Sequence, residues 1–218
     1  MKKIISLLFS VIFCLSLINQ NTIFAQQTDK ELTKELKEKA VKIARKEAKS
    51  LGKEGWYVSP GSLPLEKQLD NAYKKQYLTD ENGDQRFITA DGNGVGQTKT
   101  AAEMQAIEVA KLQLAGLIST KMSSLVSANI GNAQLSTEDA ASVTEIVQSA
   151  KNIIATELGH INPYIKIYKD GKNKTVEVQV KIFYDVKQSL QIAKKVVQKE
   201  VKEKLKLNEE QLEKMMGI

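Results

Sequence analysis

The chain has 218 residues, 42% of them hydrophobic and 27% charged, with 12 glycines, 3 prolines, 1 cysteine and 1 histidine. That composition suits a folded protein and excludes collagen-like and wholly disordered chains, while one Cys and one His exclude a disulfide scaffold or a Cys/His metal centre. The net charge of +6 is mild, and acids and bases are interleaved, so nothing resembles the segregated basic stripe of a nucleic-acid binder.

Residues 1–25 read as an export signal. Lys2 and Lys3 precede an apolar run from Ile4 to Ile18, and Ile23-Phe24-Ala25 supplies a cleavage site after Ala25. The run is shorter than the about 20 residues a membrane span needs. Cys14 follows Val11-Ile12-Phe13, without the small residue that precedes a lipidated cysteine, so no lipid anchor is expected. Residues 26–218 are expected to form one periplasmic or outer-envelope-associated domain without a transmembrane span.

The first helix is expected over about 28–51. Thr28 with Glu31 caps it, Ala40, Ile43, Ala44, Ala48 and Leu51 recur at helical spacing, and Gly52 stops it. Trp56-Tyr57-Val58 reads as a short strand. Ser62 and Pro64 open a second helix to about Leu78, Asp80 to Asp84 form a turn, and Arg86 to Ala90 form a second strand. Gly92-Asn93-Gly94-Val95-Gly96 follows. A dinucleotide loop would need Gly at Gln97, and a calcium loop would need ligands at Val95 and Ala102, so these glycines are expected to make a tight turn or bulge at the strand end.

A long helix over about 99–128 is expected to start at Thr100 with Glu103. Its small residues, Ala102, Ala106, Ala110 and Ala115, suit close approach by the next helix, 137–158, which Ser136 and Asp139 cap. His160 falls at that helix's end. Tyr164 to Tyr168, a turn at Asp170-Gly171, and the alternating Val176 to Phe183 make a β-hairpin. Asp185 with Gln188 opens the last long helix, with a break near Asn208. The order α-β-α-β-α-α-β-β-α predicts an α+β fold in one domain, a small, mostly antiparallel sheet packed against long helices.

No catalytic constellation emerges. The chain after the signal has no Cys, its only imidazole is His160, and no Gly-x-Ser-x-Gly elbow is present. No catalytic residue, metal ligand or cofactor is assigned. Parity places Tyr164, Lys166 and Tyr168 opposite Ile165 and Ile167, and sets Lys181 and Phe183 opposite the valines of the same hairpin. If the valine face meets the helices, the other face presents Tyr164, Lys166, Tyr168, Lys181 and Phe183 as a candidate contact surface. The alternative is that the first or second helix covers it.

The whole pattern resembles a known family. Its carriers are the Trp56 strand, Phe87-Ile88-Thr89-Ala90-Asp91-Gly92-Asn93-Gly94, the alanine-rich run from Ala101 to Ile118, a second helix, and the late hairpin ending in Val176 to Tyr184. Over roughly residues 55–195 the chain resembles the LPP-twenty-type bacterial envelope lipoproteins, whose domain is also similar to parts of periplasmic flagellar accessory proteins. The resemblance implies a non-enzymatic envelope protein of a Gram-negative bacterium and brings no catalytic residues. The chain departs from the family in lacking a lipidation site. The expected function is a binding or assembly module with a protein partner or with itself. The alternatives are a carboxylate-dependent hydrolase of envelope glycans, which needs two acids converging in a cleft, and a self-assembling structural component.

Overall fold

The computed structural model describes residues 38–205 and 207–217. The expected export signal and the expected Thr28–Glu31 cap lie outside them. Seven helices are described: α1 (38–53), α2 (Leu65–Gln76), α3 (Lys99–Asn129), α4 (Thr137–Ser149), α5 (Lys151–Glu157), α6 (Val186–Lys204) and α7 (Glu209–Met216). Strands β1 (Phe87–Gly96), β2 (Ile165–Asp170) and β3 (Val176–Asp185) form one antiparallel sheet in the order β1-β3-β2. The fold is α+β. Among the described residues, no helix is long and apolar enough to cross a membrane.

The glycine-rich segment does not turn: it continues β1 to Gly96. Gly92, Gly94 and Gly96 sit on one face of the strand, directly under α3. A β-carbon at Gly94 would lie 2.7 Å from the Ala106 backbone nitrogen, and one at Gly96 would lie 2.8 Å from that of Ala102. Glycine is required here for close approach of two backbones, not for a bend. The partner of the small stripe Ala102, Ala106 and Ala110 is therefore β1 and not the following helix. That helix meets α3 one or two turns later, where the Ser119 hydroxyl donates to the Val147 carbonyl at 3.1 Å.

Because β1 runs on to Gly96, the chain reaches extended geometry at Thr98, which caps α3 in place of Thr100; its Oγ1 accepts from the Ala101 N–H at 3.1 Å. The caps at Ser136 and Asp185 form as expected. α1 passes through Gly52 and stops at Gly55, whose φ is +89°. Trp56 N–H bonds to the Leu51 carbonyl and Gly55 N–H to that of Gly52, the paired bonds of a Schellman end, and Trp56 packs in the same apolar cluster as Leu51. Trp56-Tyr57-Val58 is not a strand of its own, since only Tyr57 pairs, with Tyr168. The helix expected over 137–158 divides at Ala150 into α4 and α5, and the terminal turn is α7, whose N-terminus is closed by a reciprocal capping box of Asn208 and Gln211. In the hairpin loop the left-handed positions are Asn173 and Lys174, while Gly171 is extended.

The sheet is covered on both faces. Val178, Val180 and Ile182, with Ile88 and Ala90, join the main core under α3 to α7, whose largest fully buried side chains include Leu114, Ile118 and Met122. On the other face Ile165 and Ile167 pack with Ala44 of α1, Leu69 and Ala72 of α2, and Trp56. The edges are also occupied. Gln113 and Gln105 of α3 accept the N–H groups of Asp91 and Val95 along β1 at 2.9 and 2.8 Å. Gln68 accepts the Lys166 N–H of β2 at 3.1 Å, and Tyr57 exchanges two 2.8 Å backbone bonds with Tyr168.

Candidate functional site: a cleft beneath α1 and α2

The five residues singled out from the hairpin do not share a face. Directly paired residues in an antiparallel ladder point the same way, and here Lys166 pairs with Val180 and Tyr168 with Val178. Lys166 and Tyr168 thus belong to the valine face under α3, while Lys181 and Phe183 point to the face under α1 and α2. Parity holds within β3 and from Ile165 to Tyr168 in β2, but Tyr164 precedes β2 and departs from it: its ring packs against Phe183, centroids 5.2 Å apart, on the face under α1 and α2. The relative phase of the strands depends on the five-residue connection 171–175, which strand alternation does not report.

Each half of the divided surface has its own partners. Lys166 Nζ lies 2.6 Å from one Glu103 oxygen, and the Tyr168 hydroxyl, on a buried ring, donates to the other at 2.8 Å. Burial works to raise the Glu103 pKa, but the hydrogen bonds from Lys166 and Tyr168, with the lysine's charge, outweigh it and hold the carboxyl below its ordinary value. Burial likewise works to lower Lys166, and the Glu103 partnership reverses it, so Lys166 is raised. This cluster fastens the start of α3 to β2. Across the sheet, Tyr164, Phe183 and Phe87 surround the ammonium of Lys75 from α2, with ring centroids 4.7, 5.9 and 4.3 Å away. Lys181 pairs with Asp91 at 3.0 Å.

Between α1, α2 and this second face lies a cleft of about 240 Å³. Leu51, Leu69, Ala72, Ile165 and Ile167 make its apolar lining, and Glu47, Tyr73, Gln76, Asp91, Gln179 and Lys181 bring polar groups to it. The Tyr73 hydroxyl donates to the Glu47 carboxylate. Burial, then that hydrogen bond and the negative charge of Glu47, push the Tyr73 pKa up to about 12. Two carboxylates thus line one cleft, each already engaged, Glu47 by Tyr73 and Asp91 by Lys181. Among the described residues, the carboxyls clearly displaced from their ordinary values, Glu103 and Glu210, are both displaced downward, opposite to the need of a general acid. A wider depression of about 450 Å³ lies elsewhere, against Asp80, Glu81, Arg86, Asp185 and Lys187, but it lacks the apolar lining of the first.

Of the expected contact residues only Lys181 lines the cleft. Glu47, Tyr73 and Asp91 are not singled out in the sequence: they lie on three elements far apart in the chain, α1, α2 and β1, and polar residues on half-exposed helix and strand faces are commonplace. No family model, no curated protein and no solved structure matches the chain.

Proposed function

We propose that this is an exported, non-enzymatic protein of the bacterial envelope that works by binding, with the cleft beneath α1 and α2 as its binding site. The export signal and the likeness to envelope lipoproteins support the location. The observation that carries the binding role is the cleft itself: a preformed concavity, apolar at its floor, with a few polar side chains converging on it. It replaces the hairpin surface as the contact site because that surface is divided between two covered faces.

The test is a thermal-shift screen of small apolar and amphipathic molecules. Binders raise the unfolding midpoint, since a ligand at 100 times its Kd stabilises by about 2.7 kcal/mol. Gln76→Trp, a change at an exposed residue of the cleft, is expected to abolish the shifts and leave the unliganded midpoint intact. Shifts that survive Gln76→Trp, or a panel without any shift, would remove the cleft as the site.

A further inference from the structure

We propose that the cleft selects a small amphipathic cation, an ammonium group on a short alkyl body, with Glu47 as its anchor; this rests on the cleft being the binding site.

Three ionised side chains line the cavity: Glu47, Asp91 and Lys181. Lys181 and Asp91 neutralise each other at 3.0 Å. That leaves Glu47, and its partner is a neutral phenol. An ionised carboxylate has about four lone-pair sites, and the Tyr73 hydroxyl occupies one. Lys181 is the one cation among the cleft's lining residues, and three cations of the two helices have partners of their own. Arg45 bonds to Glu66 at 3.1 Å, Lys74 to Asp70 at 2.8 Å, and Lys75 stands within its three aromatic rings. The cleft therefore holds one net negative charge at the margin of an apolar floor, in a chain whose overall charge is +6.

An ammonium placed there gains a charge-assisted hydrogen bond to Glu47, while its alkyl body covers Ile165, Ile167 and Leu69. Tyr73 fits that arrangement: its proton stays in place at neutral pH, so it directs the carboxylate without adding charge. A carboxylate ligand, by contrast, meets Glu47 as a like charge and must break the Lys181–Asp91 pair to find a partner. The positive overall charge does not attract cations, so the selectivity is a property of the cleft alone.

The experiment titrates the full chain with hexylammonium, hexanol and hexanoate, three ligands of one shape and three charges. Binding is read by calorimetry and by methyl NMR shifts at Ile165 and Ile167. Hexylammonium is expected to bind about tenfold or more tightly than hexanol. In Glu47→Gln, which still accepts the Tyr73 hydrogen bond, that preference collapses while hexanol binding persists and so certifies the fold. Equal binding of hexanol and hexylammonium in the native protein, or preference for hexanoate, overturns the cation selectivity and leaves the cleft as a binding site. If none of the three moves the Ile165 and Ile167 methyl signals, the cleft reading falls too.

Discussion

A β-carbon on Gly92 would stand 2.8 Å from the β-carbon of Ala110, with the Ala106 carbonyl oxygen closer still. That relationship, repeated at Gly94 and Gly96 along the strand, sets the distance between β1 and α3 and with it the depth of the main core. Every methyl group on this seam is absent from one side so that the two backbones can meet, which multiplies dispersion contacts over the length of the strand.

Gly92→Ala is accordingly expected to destabilise by about 3 kcal/mol, at the upper end of overpacking costs, because the obstructing atoms are helix backbone and cannot rotate away. Gly116→Ala, in α3 itself, is the control. Its new methyl meets only the flexible end of Lys151 at 3.5 Å, so helix propensity dominates and stability rises by about 1 kcal/mol. Urea unfolding of both variants distinguishes the seam from a general intolerance of larger residues.

Lys75→Met keeps the stem of the side chain and removes the charge that Phe87, Tyr164 and Phe183 surround. The expected loss is about 1–2 kcal/mol. Lys214→Met breaks an exposed pair with Glu210 one helical turn away and is expected to leave the unfolding midpoint unchanged. Equal effects in the two variants would show the aromatic ring of contacts to be no stronger than a surface ion pair.

Tyr73 gives the fold a signature at high pH. Its pKa is about 12 in the native protein against an ordinary 10, so between those values the native state holds a proton that the unfolded chain has released. This contribution is fully present below pH 10 and is lost as pH rises through 12. Tyr73→Phe is expected to flatten that part of the stability profile, and tyrosinate absorbance should show one fewer late-titrating group. An unchanged profile in Tyr73→Phe would assign the effect to another group.

Gln105 and Gln113 act as covers for the free edge of β1. Replacing both by Ala leaves the Asp91 and Val95 N–H groups open on an edge that also carries Val95, 57% exposed. The double variant is expected to self-associate with concentration in sedimentation, and adding Val95→Lys should restore the native behaviour. A double variant that sediments as the native protein does would show that the edge needs no cover.

Much of the local structure was legible because it depends on residues near one another. The caps at Ser136 and Asp185 needed three-residue spacings, and the valine alternation of β3 needed only parity. The errors share a cause. The glycines of β1 carry the same letters whether they turn the chain or admit a helix, and only the position of Ala102, Ala106 and Ala110 above them decides between the two. Gly52 and Gly55 are both fit to end α1. The chain uses Gly55, which brings Trp56 back to pack in one cluster with Leu51.

The candidate site was less legible still. Glu47 and Tyr73 are 26 residues apart in the chain and bond side chain to side chain across two helices, a pairing without sequence periodicity. The hairpin residues were visible as a group, but their division between faces follows from the register Lys166↔Val180.

The sequence alone determined the class of fold, the places where most helices begin, and the identity of the alternating strand, because capping, periodicity and parity act over a few residues. The tertiary structure decided which elements touch: that β1 receives α3, that both sheet faces are covered, and that Glu47, Tyr73, Asp91 and Lys181 line one cleft. Those outcomes depend on the register between strands and on how closely two backbones can approach. Both are set by packing among residues distant in the chain, where the gain from excluding water and filling space is shared by many side chains at once.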